Sequence, residues 1–368
     1  MTVDLPALLA DLERLVRRES PSSDQGVVAR SADLVAEIGT SRLGLAPERL
    51  VVDGCTHLRW HLGTGPRRVL LLAHHDTVWP IGALLTHPWA VVDGVITGPG
   101  CFDMKTGLVM AFHALAELEN IDGVTLLVTG DEEIGSPTSR ALIEDEAAAC
   151  AAVLVLEAAG PGGALKTARK GVSRYLLQIT GRAAHAGLEP EKGVNAGIEL
   201  AHQVLAIAAL VGVGAPGTTI TPTTSVAGSA ANTVPATATV EIDCRMWTTV
   251  EQDRVHGELS ALVPVLPGST LLMTGGPNRP PMESQGAQTL FALAQEAAES
   301  LGLPVLTQMA VGGASDGNFT AGIGVPTLDG LGAVGGGAHS DDEHVLVTHL
   351  TGRTDLLAAL VRRLLAAP

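Results

Sequence analysis

The chain has 368 residues, 46% hydrophobic and 17% charged, enough for two domains or for one large domain carrying an insertion. With 39 acidic against 23 basic residues the formal charge is −16, which opposes non-specific binding to nucleic acid or anionic lipid and sets both aside as partners. The best apolar run, Val204 to Val213, is shorter than the roughly 18 residues of a membrane-spanning helix and closes in Gly214, Pro216 and Gly217.

The first segment, MTVDLPALLADLERLVRRES, sets Asp4, Asp11 and Glu13 inside an apolar period of 3.6 and predicts an amphipathic helix, not a signal peptide. Together with four cysteines, Cys55, Cys101, Cys150 and Cys244, that lack any CxxC spacing, it leads us to expect a cytoplasmic chain without disulfides or a cysteine metal site. Short strands are predicted over 48–52 and 58–62, flanking the turn signal Asp53-Gly54. Arg68 to Ala73 (RVLLLA) is a continuous apolar run suited to a central strand, and it ends in His74, His75 and Asp76. The pattern recurs at Val124 to Thr129, followed by Asp131, Glu132 and Glu133, and at Ala152 to Leu156, followed by Glu157. Helices predicted over 105–118 and 138–149 separate these strands, so the fold class is α/β with a mostly parallel sheet, and ligands belong beyond the carboxyl ends of its strands.

From about Gly171 the texture becomes strand, helix, strand, strand, helix, strand (173–180, 193–210, 218–227, 236–246, 250–262, 269–274), an α+β unit with antiparallel strands. The chain is expected to turn out of it at Gly275-Gly276-Pro277, after which a helix (285–301), a strand (325–328) and a helix (348–365) resume the first pattern. The predicted organisation is an α/β domain over 1–171 and 278–368, interrupted by an inserted α+β domain over 172–277.

The polar groups at the strand ends carry the chemistry. His74, Asp76, Asp103, Glu132, Glu133, Glu157 and the late His339 in GGGAHSDDEH are hard or borderline metal ligands. Histidines with several carboxylates and no cysteine suit zinc, cobalt or manganese, and the number of carboxylates suggests two ions sharing one of them. Asp103 follows Gly98-Pro99-Gly100, whose glycines allow close backbone approach. On an extended chain Glu132 and Glu133 would alternate, one toward metal and the other toward substrate. His75 would point away from His74 and pack behind it. Singly, a His-x-Asp or a Glu-Glu pair is ordinary surface; three apolar strands all ending in ligand-type residues are not.

These residues stand in AHHDTV, GPGCFDMKTG, TGDEEIGS, LVLEAAG, GRAAHAG, AANTVPA, VGGASDGN and GAHSDDEHV. In this order, over nearly the whole chain, the motifs resemble the dizinc family of glutamate carboxypeptidase, aminoacylase, acetylornithine deacetylase and succinyl-diaminopimelate desuccinylase. Around DTVWP, GPGCFD and DEEIGSPTSRALI the likeness is greatest to bacterial folate-hydrolysing glutamate carboxypeptidases. The resemblance implies that His74 and Glu157 complete one zinc site, Glu133 and His339 the other, and Asp103 bridges both, with cobalt or manganese as possible substitutes. It further implies that Asp76 hydrogen-bonds the second nitrogen of His74 and that Glu132 is the general base, passing the proton of the attacking water to the departing amine. A cis peptide bond at Asp103-Met104 is also implied. His185 would reach the active site of a second subunit in a homodimer and donate to the oxyanion, which makes 1–171 with 278–368 the catalytic domain and the insertion 172–277 both lid and dimerisation domain. Asn232, Arg245, Arg279 and the backbone amides of Gly312, Gly313 and Ala314 would recognise a substrate carboxylate.

The implied reaction is release of a C-terminal amino acid, foremost glutamate, from an N-acyl or peptide substrate. The alternative is an N-acyl-amino-acid deacylase or desuccinylase, and a non-catalytic binding protein is the reading from another class. With four Trp, one Tyr and four Phe, the chain has few rings to stack a large aromatic acyl group.

Overall fold

The structure is a computed structural model, and it describes residues 3–366. Its contacts divide the chain into two compact units: 1–168, 284–311 and 315–368 form the first, and 169–283 with 312–314 form the second. The inserted unit thus runs from Arg169 to Glu283, a few residues wider at each end than 172–277, and also takes Gly312 to Ala314. The first and last two residues, where the predicted outer domain limits fall, lie outside the described residues.

The first unit opens with helices α1 (Leu5–Val16) and α2 (Gln25–Leu43) and strands β1 (Glu48–Val52), β2 (Cys55–Leu62) and β3 (Val69–His74). A short hairpin, β4 (Ala90–Val92) with β5 (Val95–Thr97), precedes α3 (Thr106–Ala116), β6 (Val124–Thr129), α4 (Arg140–Ala148), β7 (Ala152–Val155) and β8 (Leu165–Arg169). The inserted unit holds β9 (Gly171–Thr180), β10 (Ala184–His185), α5 (Ala196–Ala209), β11 (Thr219–Ala227), β12 (Thr233–Val234), β13 (Thr237–Met246), α6 (Thr249–Ser260) and β14 (Thr270–Arg279). The chain then returns through α7 (Gln288–Ser300), β15 (Gln308–Val311), α8 (Gly317–Gly322), β16 (Thr327–Leu328), β17 (Gly335–Gly336), β18 (His344–Leu346) and α9 (Val347–Ala366).

The six-stranded sheet has the order β1-β2-β6-β3-β7-β16. β6, β3, β7 and β16 run parallel, and only β1 and β2 are antiparallel to their neighbours. Every residue of β3, β6 and β7 is buried, as expected of strands covered on both faces. On one face Leu70, Leu72, Leu127, Val153 and Val155 pack with Ile143 of α4 and Phe319 of α8. Helix α3, largely apolar, is buried from Thr106 to Leu115. The arrangement is the mostly parallel α/β sheet expected from the apolar runs.

Helix α2 was not foreseen, because Gly26 and Gly39 interrupt its apolar period. Gly39 is there for packing: a Cβ on it would lie 2.5 Å from Trp60 Cζ2 and 2.7 Å from Phe112 Cε1, where those rings meet edge to face at 5.4 Å.

In the inserted unit the antiparallel order is β11-β13-β9-β14, and Leu177, Ile179, Val240, Ile242 and Cys244 pack against Leu200 and Ile207 of α5 and Val255 and Leu259 of α6. The predicted exit at Gly275-Gly276-Pro277 is not a turn: β14 continues through it, pairing Gly275 with Tyr175 and Pro277 with Ser173, and bulges only between Pro277 and Arg279. β14 is an edge strand, so the missing N–H of Pro277 breaks no second ladder. The apolar run is also longer than expected: by length and composition Ala196–Val213 is apolar enough to cross a membrane. Here one side of it covers the unit's sheet, while Ile198, Leu205, Val211 and Val213 are exposed. The four cysteines are free and buried.

Candidate active site

Five chain segments of the first unit deliver the ligand-type residues. His74 is the last residue of β3, paired with Thr129 at the end of β6, and Glu157 lies two residues past β7. Parallel strands bring these carboxyl ends to one edge of the sheet. Nε2 of His74 lies 3.4 Å from Asp103 Oδ1 and 3.6 Å from Glu157 Oε1. On the other side of Asp103, His339 Nε2 lies 3.2 Å from Asp103 Oδ2 and 3.2 Å from Glu133 Oε2. Two ligand groups therefore share one carboxylate: His74, Asp103 and Glu157, and Asp103, Glu133 and His339, with ligand atoms in each within 4.8 Å of one another.

Histidines and carboxylates in this cluster shift one another's protonation strongly. Burial opposes charge on His74, but Asp103, Asp76 and Glu157 overcome it and raise its pKa well above the ordinary value. Asp103 and Glu133 push His339 up to about 11. Burial raises Glu133 to about 7, while the two histidines hold Asp103 far below its usual range against the cost of burial. Buried carboxylates in such number are stable only when paired or coordinated. Nε2 of His74 and Oε1 of Glu133 are buried without a hydrogen-bond partner, and both belong to the two ligand groups. The donor set, imidazole and carboxylate, fits a divalent ion of the zinc, cobalt or manganese type.

Asp76 differs from expectation. The Nδ1 of His74 hydrogen-bonds the backbone carbonyl of Asp76 at 3.0 Å, and the Asp76 carboxylate stands back at 3.4 Å. Either contact leaves the Nδ1 proton in place and Nε2 free for metal. The carboxylate is occupied elsewhere: it accepts from Ser22 Oγ at 2.6 Å and from the backbone N–H groups of Glu132 at 3.3 Å and Glu133 at 3.2 Å. One residue thus holds both a histidine of a candidate ligand group and the turn that carries the two glutamates. That turn is a second correction, since residues 132–134 form a 3₁₀ turn and not an extended chain. Both glutamates are still largely shielded, Glu132 with 7% of its surface exposed. Asp316, in the VGGASDGN stretch, pins the same turn by accepting from Ser136 Oγ and from Thr129 Oγ1 at 3.1 Å.

His75 packs away from the site as expected, fully buried between Ser31 Oγ and the Thr56 carbonyl, each at 3.2 Å. Cys55, His57 and Asp131 also converge. Their polar atoms are spent on the fold: His57 on Gly130 and Thr138, Asp131 on Thr138 and Ser139. Burial pushes the Cys55 thiol up to about 12, so it offers no thiolate.

Sequence reasoning missed Glu343. Its carboxylate is buried and accepts from the backbone N–H groups of Gly100, Phe102 and Asp103 and from the indole of Trp79. The available signal was an acidic residue four positions after His339. The loop it braces needs Gly100, whose φ is 71° and whose Cβ would meet Thr77 Cγ2 at 2.4 Å. The peptide bond Asp103-Met104 is cis, as the resemblance implied.

The remaining predicted residues all lie in the inserted unit. His185 is exposed on β10, and its Nδ1 accepts from the backbone N–H groups of Gly187 and Leu188, both at 3.1 Å. Asn232 is exposed, with its carbonyl taking the N–H of Ala186. Arg245 is not a waiting cation: its guanidinium forks onto Asp243, Nε to Oδ1 at 2.7 Å and Nη2 to Oδ2 at 2.9 Å. Arg279 is buried near the end of β14, where its carbonyl accepts from Gln252. Gly313 is exposed, and its carbonyl accepts from Arg169 Nη1 at 3.1 Å.

Comparison with known proteins agrees with this geometry. Residues 70–363 match the model of peptidase family M20/M25/M40. The chain is 31% identical over 379 residues to carboxypeptidase G2 of Pseudomonas sp. (strain RS-16), covering 98% of this chain and 90% of that protein. It is 29% identical over 388 residues to succinyl-diaminopimelate desuccinylase of Xanthomonas campestris pv. campestris (strain B100), covering 99% and 100%. Among solved structures, the M20 family metallo-carboxypeptidase Sso-CP2 of Sulfolobus solfataricus shares the fold with a TM-score of 0.77 at 16% identity, over 96% of this chain and 98% of that one. Aminopeptidase PepT of Bacillus cereus ATCC 10987 does so at 0.75 and 23%, over 99% of each. The chain belongs to peptidase family M20/M25/M40 and is a metal-dependent hydrolase of amide bonds.

Proposed function

We propose that the protein is a binuclear zinc amidohydrolase that releases a C-terminal amino acid, foremost glutamate, from N-acyl or peptide substrates. The observation that carries this reading is the pair of ligand groups sharing Asp103, with the buried Glu132 next to Glu133 on a 3₁₀ turn. Bound there, metal supplies Lewis acidity toward the scissile carbonyl and the attacking water. Glu132 takes a proton from that water as its oxygen joins the carbonyl carbon. The same carboxyl returns the proton to the amide nitrogen as the C–N bond breaks, so the products are a carboxylate and an amine. Asp76 keeps the proton of His74 on Nδ1 and holds the Glu132–Glu133 turn.

His185 is assigned to the oxyanion of the site in a second copy of the chain. Its Nδ1 accepts two backbone N–H groups, which places the proton of the neutral ring on Nε2 as an outward donor. A homodimer through the inserted unit is supported by the exposed Ile198 and Leu205 of α5 and by the free edge of β11. For the substrate carboxylate, Asn232, Arg279 and the amides around Gly313 remain the assigned groups, while Arg245 already has its acid partner.

Full-length similarity to a desuccinylase favours the second reading, an N-acyl-amino-acid deacylase using the same centre. Metal-stripped protein, reloaded with zinc or cobalt, is to be assayed for amino acid release from N-benzoyl-glutamate, folyl-glutamate, dipeptides, N-acetyl and N-succinyl amino acids, with Glu132→Ala as control. Metal-dependent glutamate release, lost by roughly 10²–10⁴-fold in the control, is expected. Cleavage of N-acetyl or N-succinyl substrates alone would replace this reading by the deacylase.

A further inference from the structure

The segment 339–343 does two things four residues apart: His339 belongs to one ligand group, and Glu343 turns inward. Oε1 of Glu343 accepts from Phe102 N at 2.8 Å and Asp103 N at 3.0 Å, and Oε2 accepts from Gly100 N at 2.9 Å and Trp79 Nε1 at 2.6 Å. The neighbouring amides of this loop are taken as well, Gly98 N by His87 Nε2 at 3.1 Å and Cys101 N by the Gly98 carbonyl at 3.1 Å. His87 in turn stacks on Trp79, with ring centroids 5.2 Å apart and planes 9° from parallel. One buried carboxylate thus ties three segments, around residues 79, 100 and 343, to the backbone nitrogen of the residue shared by both ligand groups.

We infer that Glu343 is the positioning residue for Asp103, and that its two-oxygen acceptor character, not its bulk, aims the shared carboxylate at both ligand groups. Four donors converge on it from fixed directions, and only an ionised carboxylate presents acceptors to all four. A glutamine of the same shape would turn an NH₂ toward one of the two donor pairs. Either the Phe102 and Asp103 amides or the Gly100 amide and the Trp79 indole would then be left facing a donor. The inference rests on the reading of these groups as a metal centre.

The test uses the full-length protein, with Zn²⁺ and Co²⁺ as probes in chelator competition, and compares wild type, Glu343→Gln and Trp79→Phe. Glu343→Gln should weaken metal binding by roughly 10–100-fold. At saturating metal it should lower kcat while leaving KM near the wild-type value, because the loop orients a metal ligand and not the substrate. Trp79→Phe removes one of the four donors and should weaken metal binding by a smaller factor. Unfolding followed in chelator gives the metal-free stability of each variant, so loss of affinity is separated from loss of fold. Metal affinity of Glu343→Gln equal to wild type would overturn the inference. Should that variant not fold, unchanged affinity in Trp79→Phe would overturn it instead. A wild-type protein that binds neither ion would sink the metal-centre reading itself and the inference with it.

Discussion

At the scale of single residues, charge is placed with little margin in this acidic chain. His113, in α3, has its Nε2 3.0 Å from Asp11 Oδ2, and Asp11 is itself held by Arg42 at 2.7 Å. Burial outweighs the attraction of Asp11 and lowers the His113 pKa below its ordinary 6.5. The unfolded chain therefore takes up this proton more readily than the folded one, so acidification through 6.5 favours unfolding and stability rises with pH across that range. Replacing His113 by Gln should flatten the dependence of the urea midpoint between about pH 8 and pH 5.5. A curve parallel to wild type would show that the His113 proton is not linked to folding. Residue types at the site were legible, because apolar strands that end in histidine and acid are rare on a solvated surface. What each side chain bonds was not: the forks of Asp76 onto two amides and of Glu343 onto three depend on turns with no periodic signature.

At the scale of elements, the strands that form the sheet's centre were readable because burial on both faces leaves a continuous apolar run. The elements that were misread carry glycine or proline for reasons of packing. Helix α2 contains Gly39 because Trp60 and Phe112 occupy the space of a side chain, and β14 tolerates Pro277 because it is the edge strand of its sheet among the described residues. Gly39→Ala tests the first reason. Helix propensity alone favours alanine by about 1 kcal/mol, whereas inserting a methyl into a filled core costs roughly 1–3 kcal/mol. The overlaps at 2.5 and 2.7 Å involve rings locked against each other, so the steric cost should prevail and the urea midpoint should fall. A more stable variant would mean that the two rings move aside without loss.

For the whole molecule, the division into two units was visible as a change of texture near residue 171, and its far limit was not, since β14 runs on to Arg279 and the inserted unit to Glu283. The two candidate ligand groups belong entirely to the first unit and the proposed oxyanion donor to the second. If His185 serves a partner's site, Glu132→Ala and His185→Ala are each inactive alone, yet a mixed dimer retains one intact site. Random exchange of subunits then restores about a quarter of wild-type activity. No recovery, with exchange verified by mass, would remove His185 from that role.

The four buried thiols have a consequence for their reactivity. Burial pushes Cys150 up to about 11 and Cys55 and Cys244 up to about 12, and raises Cys101 as well, which disfavours the thiolate that attacks disulfides and oxidants. All four thiols are free and buried, so their burial, and not a disulfide partner, keeps them reduced.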